Sequence, residues 1–437
     1  MFVHYIDLAW RSLRQTPLVT FLMILAIAIG IGVTMTTLSV YHMMSMDPIS
    51  HKSERLFAVQ LQTMDDGETW RTPDDIPYQL TYTDAINLDA LPGDYLRAPM
   101  LRSGFSVHLN TASSKPFIEN TRVTGRDFFT MFDLTFLHGN VWTEEQERDA
   151  APVVVIDEEM AKQLFGKTDV VGESVFLGER RHEVVGVTQK WRPTIKFYDL
   201  NNGSFGKAER MFAPFSHVKA YDVDTWGNTN GWKFEETRDF NDKMNSEMLW
   251  VQFWVQLDTP QQRQVYGDML MAYMQQQQKP GRFNRETLQY SLQDVNAWMN
   301  YNDVISEDNK ILVGLSFMFL AVCVANILGL LLAKFMRRAP DVGVRRALGA
   351  SKRQVFYQHL VEVGVLGLLG GSLGVLFAQL GLLGVRQTYN YYAGLANMDW
   401  MMLLSAPVLA ISACILAGLY PAWLVCRTTP ATHLKVQ

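Results

Sequence analysis

The sequence predicts an α-helical membrane protein with four transmembrane helices and a large α+β extracytoplasmic domain. Three observations predict it. Four long apolar runs carry no charge, lysine and arginine cluster beside some of their ends, and strand–helix–strand patterns fill the long segment between the first two runs. The runs cover residues 18–41, 311–333, 363–385 and 401–425. About 20 apolar residues cross a hydrocarbon core of roughly 30 Å, so each run is long enough. The first run is too long for the apolar part of a signal peptide and no Ala-x-Ala-like site follows it, so it reads as a retained span.

Orientation follows from the basic residues in short flanks. Arg11 and Arg14 precede the first run. Lys334, Arg337, Arg338, Arg345, Arg346, Lys352 and Arg353 fill the connection after the second, against the single acid Asp341. Arg386 stands alone after the third, and Arg427 and Lys435 follow the fourth. Both termini and the basic connection are therefore placed in the cytoplasm. The expected organisation is a cytoplasmic amphipathic segment at 1–17, a first span at 18–44 and an extracytoplasmic domain at 45–305. A stalk end and second span follow at 306–333, then the basic cytoplasmic connection at 334–359. The third span is expected at 360–385, a short outer loop at 386–400, the fourth span at 401–426 and a cytoplasmic tail at 427–437. The net charge of −5 gives no reason to expect a nucleic-acid partner. Cys323, Cys414 and Cys426 all lie in or beside spans, so the outer domain is no disulfide scaffold and relies on core burial.

Within the outer domain, "RLFAVQLQT" (55–63) alternates as a half-buried strand does. A helix around 83–91 and a strand near 95–108 follow. Near the far end, a strand at 249–258 precedes a helix that opens with Thr259 as N-cap and Pro260 in its first turn; a strand at 286–294 returns. Two such units suggest a split, ferredoxin-like body. Between them, "APVVVIDEEMAKQLFG" reads as a buried strand and then a helix stopping at Gly166. "GESVFLGERRHEVVGV" reads as a hairpin turning at Gly178. The polar stretch 294–310 is free of Gly and Pro and predicts a helical stalk extending the second span. Pro48 predicts a shorter or broken counterpart after the first span.

Catalytic signatures are missing from these residues. "AKQLFGKT" (161–168) imitates a phosphate loop, but Ala161 stands where the first glycine belongs. The nine histidines are scattered, with no i, i+4 pair, and there is no Cys-x-x-Cys and no Gly-x-Ser-x-Gly elbow. No catalytic, cofactor or metal residues are therefore assigned. The acidic stretches at 144–149 and 234–242 read as solvated loops.

Polar groups in the spans are few. Asn326 lies mid-span, where an amide is expected to face another helix. Glu362, near the cytoplasmic end of the third span, is expected to face headgroups or His359, with a functional role as the competing reading. The overlapping pairs Gly367/Gly371 and Gly370/Gly374 allow close helix approach, in a tight core or a dimer seam. Ala26/Gly30 and Ala28/Gly32 add two small pairs in the first span. Trp10, Trp400 and Trp423 read as interfacial anchors, with Arg11 and Arg14 beside the first.

The basic connection contains "DVGVRRALGASKRQV" (341–355). Val344, Ala347 and Leu348 share one helical face, Arg345 and Arg346 flank it, Gly349 can end the helix and Ser351 can cap the next. Charge here is explained by topology and contact with anionic membrane lipid. An apolar face bounded by Gly is not; it needs a partner, and a groove on another subunit fits.

"VGVRRALGASKRQV" followed by "LVEVGVLGLLGGSLGVLFA" resembles the FtsX-like segment of MacB/FtsX-type ABC transporter permeases. The family's coupling helix, which docks into the ATPase, would map onto Val342, Gly343, Val344, Arg345, Arg346, Ala347, Leu348, Gly349 and Ala350. Asp341 matches the acid often found before this step, whereas Ala339-Pro340 departs from the family. Pro421 and "TTPATHLK" resemble its closing span and tail. Independently, "TGRDFFTMFDLTFLHGN", "APVVVIDEEMAKQLFG" and "VVGESVFLGERRHEVVGV" resemble the MacB-like periplasmic core domain. That likeness implies porter-like parts at 54–108 and 246–294 and a sabre-like insert at about 109–245.

The resemblance implies a non-enzymatic permease subunit of the cell inner membrane, multi-pass, with its large domain in the periplasm. ATP and Mg would sit on a separate cytoplasmic ABC ATPase. A second permease copy or paralogue, a periplasmic membrane-fusion adaptor and an outer-membrane channel complete the implied partners. Mechanotransmission for efflux or export is the expected work; lipoprotein extraction or control of a cell-wall hydrolase is the alternative within the family. A membrane-anchored ligand-binding receptor is the alternative from another class. The topology is directly testable. In a cysteine-free background, Ser351→Cys is expected to react with an impermeant maleimide only after sealed spheroplasts are lysed, and Asp66→Cys to react before lysis; the reverse pattern inverts the orientation.

Overall fold

The computed structural model describes residues 2–72, 75–110, 115–305, 307–388, 398 and 400–427. It comprises two compact units: Met1–Met46 with Ile305–Gln437, and Asp47–Val304.

The chain opens with α1 (Phe2–Gln15), which buries Ala9, Ser12 and Leu13 and exposes Ile6 and Trp10. Pro17 starts α2 (Pro17–Ser45), where its missing N–H costs nothing in a first turn. This apolar helix leaves the helical conformation at Met46.

The second unit runs β1 (Leu56–Leu61), α3 (Tyr82–Asp89), β2 (Arg97–His108), β3 (Phe117–Thr124), α4 (Phe128–Met131), β4 (Phe136–Gly139) and α5 (Glu144–Arg148). It continues with β5 (Val153–Asp157), α6 (Glu158–Phe165), β6 (Ser174–Leu177), β7 (Arg180–Thr188), a 3-10 turn at Phe197–Asn202 and β8 (Met211–Pro214). It closes with α7 (His217–Ala220), α8 (Phe240–Asn245), β9 (Gln252–Gln256), α9 (Pro260–Gln278), β10 (Tyr290–Asp294) and α10 (Val295–Tyr301).

Among the described residues these strands form one sheet in the order β10-β1-β9-β2-β3-β8-β5-β7-β4, with β6 pairing β2 and β7. The first four are mutually antiparallel and come from the two ends of the unit. Their order, fourth–first–third–second in chain sequence, is that of a split ferredoxin-like βαβ pair. The remaining strands come from the middle, with parallel pairings at β3–β8 and β5–β7. Strand β2 joins the halves: Arg97–Met100 pairs with β9 and Met100–Val107 with β3.

Local signals act where the sequence places them. Thr259 and Gln262 form a reciprocal capping box at the start of α9, with Pro260 in its first turn. Asp157 accepts from the Met160 amide to cap α6, which ends at Gly166 with φ +73°. Gly178, at φ +62°, turns β6 into β7.

Three expectations change. Strand β1 is buried along its whole length, not half-buried, because α3 and α9 cover one face and an aromatic cluster with Trp254 and Trp298 covers the other. Its Gln60 amide survives burial by donating to the Pro77 carbonyl at 3.1 Å. The stalk is not one continuous helix: α10 stops at Tyr301 and Asp303 turns at φ +50°, so the next helix starts afresh at Glu307. Strand β8 lies mid-sheet in a region where the sequence suggests no element. It is only four residues long and ends in Pro214, too short to display a period.

A buried charge cluster fastens the halves of the sheet. Arg122 of β3, 0% exposed, reaches Asp199 Oδ2 at 2.5 Å and Glu209 Oε1 at 2.8 Å. Lys196 meets the same Glu209 oxygen at 2.7 Å, and Gln252 of β9 donates to Asp199 at 3.0 Å. Burial alone would raise the Glu209 carboxyl; Arg122 and Lys196 overcome it and hold it well below the ordinary range.

His182 and His217 form a second buried pair, with ring centroids 5.4 Å apart. Burial and nearby Arg180 depress both to about 4, although backbone carbonyls accept from each ring. Their stabilisation is complete above the unfolded value of about 6.5 and is lost as pH falls towards 4. The detergent-solubilised chain is expected to lose up to about 3 kcal/mol per histidine across that window. His182→Gln with His217→Gln is expected to flatten the pH dependence of the unfolding midpoint; an unchanged slope removes the pair as its cause.

Candidate coupling site

After α10 the chain forms α11 (Glu307–Arg337), α12 (Ala339–Ala347), α13 (Lys352–Thr388) and α14 (Trp400–Arg427). Helices α2, α11, α13 and α14 are each long and apolar enough to cross a membrane.

Helix α12 is the predicted basic helix, and it begins earlier than the motif suggests. Ala339 and Pro340 occupy its first turn, where proline is tolerated, so the pair that departs from the family pattern serves as the start signal. Leu348 closes the helix and Gly349 leaves it at φ +104°. The Ser351 hydroxyl accepts from the Gln354 amide at 3.2 Å and Gln354 Oε1 accepts from the Ser351 amide at 2.9 Å, which starts α13.

The two sides of α12 differ. Ala339, Val342 and Gly343 are buried against the bundle. Val344 is 52% exposed and Leu348 84% exposed, with Ala347 beside them, so an apolar facet points away from the chain. The arginines divide rather than flank it together. Arg346 donates to the Cys426 carbonyl at 3.1 Å, near the C-terminus of α14, where the helix dipole favours a cation. Arg345 is exposed and, among the described residues, contacts only Gln358 closely, at 3.4 Å. Ala350 is half-buried after the turn.

Beneath α12 lies a polar joint. Glu362 is 3% exposed and turned inward, not towards headgroups as expected. Lys334 meets it at 2.6 Å and the Ser12 hydroxyl donates to it. Arg338 donates to the Ser12 hydroxyl, to the Ser12 carbonyl at 3.1 Å and to Gln15 at 2.9 Å. His359 is not the partner of Glu362; it bonds the Val355 carbonyl of its own helix and meets Phe335 edge-on. One network thus ties α1, α11, the start of α12 and α13. Ser12, Lys334 and Arg338 are absent from the sequence-based set. In the sequence Lys334 and Arg338 read only as topological charges, and Ser12 shows itself only by sharing a face with Ala9 and Leu13.

The two glycine pairs of α13 pack within this chain. A Cβ at Gly367 would lie 2.8 Å from Ile411 Cα, and at Gly371 2.7 Å from Ala410. At Gly370 and Gly374 it would meet Ile27 at 2.6 Å and Ile31 at 2.8 Å. One row therefore seats α14 and the other α2. Asn326 is a correction: it is exposed on the outside of α11, one position away from the buried line Leu320, Cys323, Ile327 and Leu331. A polar contact between α2 and α11 comes instead from Thr34, which donates to the Ser316 carbonyl at 3.1 Å. At the surface, Arg14 stacks over Trp10 at 5.2 Å and Arg11 pairs with Asp7 at 2.9 Å. The tail motif at 428–437 lies outside the described residues.

Comparison with known proteins matches residues 20–272 to the MacB-like periplasmic core domain and residues 313–430 to the FtsX-like permease C-terminal domain. This chain belongs to the MacB/FtsX-type ABC transporter permeases. Among curated relatives, the macrolide export ATP-binding/permease protein MacB of Escherichia coli (strain K12) is 24% identical over 394 residues, covering 86% of this chain and 52% of the relative. Its Shigella flexneri counterpart shows the same figures. The permease thus spans about half the length of the curated relatives it matches. Among solved structures, the periplasmic region of MacB from Actinobacillus actinomycetemcomitans aligns with a TM-score of 0.35 at 15% identity, over 57% of this chain and 92% of that one. The extracellular domain of YknZ, a noncanonic ABC-type transporter from Gram-positive bacteria, aligns at 0.34 and 15%, over 55% and 100%. This permease is a multi-pass membrane protein whose family implies partnership with an ABC ATPase.

The joint is open to a double-mutant cycle. Lys334→Met leaves a buried carboxylate without its lysine and is expected to cost about 3 kcal/mol in thermal unfolding. Adding Glu362→Met is expected to restore most of that loss. Additive single effects count against the pair.

Proposed function

We propose that this permease converts ATP-driven motion of a separate cytoplasmic ATPase into conformational work by its outer domain. The single observation that carries the reading is the exposed Val344, Ala347 and Leu348 facet on a helix anchored from its other side. A solvated loop has no use for such a facet, whereas a docking lever needs both the free face and the anchor. ATP and Mg are assigned to the partner chain, because no phosphate loop occurs in these residues: the lookalike at 161–168 folds as the end of α6 and its Gly166 cap.

In this reading the chain sits in the inner membrane with both termini and α12 in the cytoplasm and Asp47–Val304 in the periplasm. It pairs with a second permease, a copy or a paralogue. Movement of α12 passes through the Arg338, Ser12, Glu362 and Lys334 joint to α1, α11 and α13. Nucleotide biases the outer conformation only by binding one state better than another. The curated relatives are named for macrolide export; we assign this chain export of a periplasmic substrate, with a membrane-fusion adaptor and an outer-membrane channel.

Co-purification tests the docking face. Leu348→Asp is expected to lower recovery of the partner ATPase at least about tenfold, since an interface hot spot contributes 2 kcal/mol or more, while the unfolding midpoint of the permease stays unchanged. Undiminished recovery places the docking surface elsewhere.

A further inference from the structure

At the end of the bundle that carries α12, a cavity of about 240 Å³ opens among α1, α12 and α13. Its lining includes buried Ser12, His359 and Glu362, half-buried Arg338, which already bonds Ser12 and Gln15, and exposed Arg11 and Arg345 at the mouth. The two carboxylates on the lining do not match the three guanidiniums. Glu362 is already met by Lys334 at 2.6 Å, which leaves Asp341 as the other acid. Among the described residues Arg345 has only the 3.4 Å contact with Gln358, and Arg11 only an exposed pair with Asp7 one turn away on its own helix. Pairs of that kind are worth little and yield readily to a better anion.

A guanidinium fork matches the oxygens of a phosphate, and three around one hollow make a seat for one. The volume is several times the roughly 30 Å³ share of a water molecule, enough for a phosphate group with a few waters. The location adds the second half of the ligand. Trp10, exposed on amphipathic α1 beside Arg11 and Arg14, marks the headgroup level of the membrane. Basic hollows between helices at that level take lipid phosphates.

We infer that this cavity seats the phosphate of one anionic phospholipid, with Arg11 and Arg345 clamping it from the mouth and Arg338 donating from deeper in. The site requires only that the bundle sits in a membrane, and stands apart from the coupling reading. Bound lipid bridges α1 to α12, so it stiffens the support of the exposed facet.

The test uses the purified full-length chain in detergent and follows its unfolding midpoint during titration with short-chain phosphatidylglycerol, short-chain phosphatidylcholine or inorganic phosphate. Phosphatidylglycerol is expected to raise the midpoint, while the other two leave it unchanged at equal concentration. Arg11→Gln with Arg345→Gln is expected to weaken apparent affinity about thirtyfold, as loss of two basic contacts implies. Gln358→Trp, which fills the hollow without removing a charge, is expected to lower lipid uptake as well. An equal rise with inorganic phosphate assigns the seat to a soluble anion and overturns the lipid. Unchanged phosphatidylglycerol affinity in both variants, or no rise in the wild type, overturns the site.

Discussion

Everything in the membrane unit depends on how closely α13 lets two other helices approach it. Lipid tails are as apolar as leucine, so helices in a bilayer gain little from hiding apolar surface and associate through contact and hydrogen bonds. Gly367 and Gly371 open one side of α13 to the backbone of Ile411 and Pro407; Gly370 and Gly374 open another to Ile27 and Ile31. Threonines add to this. Thr34 and Thr36 each share a hydroxyl between a carbonyl of their own helix and one across the contact, Ser316 and Ala378 respectively. With its neighbours held at backbone distance on two sides, α13 provides a fixed frame from which α12 can hang.

Both units bury balanced charge, and in both the charge specifies geometry more than it adds stability. A buried ion pair roughly offsets its own desolvation, yet it tolerates few arrangements once formed. Lys334 and Glu362 join α11 to α13 inside the bundle, with Ser12 and Arg338 extending the link to α1. Arg122, Lys196, Asp199 and Glu209 do the same in the outer domain, where Gln252 brings β9 into the cluster. That cluster sits where strands from the chain ends meet strands from the middle, so it holds the two halves of the sheet in register.

Features governed by a few neighbouring residues were legible in the sequence. The spans follow from uncharged length, and the starts and stops at Thr259, Asp157, Gly166 and Gly349 follow from capping chemistry acting over a single turn. Features governed by residues far apart were not. Glu362 reads as interfacial until Lys334 and Ser12, distant in sequence, arrive beside it. Asn326 reads as a helix contact because mid-span depth is visible in a sequence, while the face it occupies is decided by how α11 is rotated against α2. The polar positions of β1 suggest a solvent face that the aromatic cluster in fact closes off. Of the basic segment 341–355, the helix and its apolar facet were legible; the separation of Arg345 from Arg346 was not, because it depends on where α14 ends.

Gly349 stands in open space: among the described residues, nothing beyond its chain neighbours lies within 4 Å of where a side chain would begin, yet its backbone adopts φ +104°. Its glycine is therefore demanded by torsion and not by crowding. A residue with a side chain would fit the room and resist the turn, pulling the segment towards a straight rod continuous with α13. The bend between facet and frame is thus set at one backbone position, by its torsion and not by packing against a neighbour.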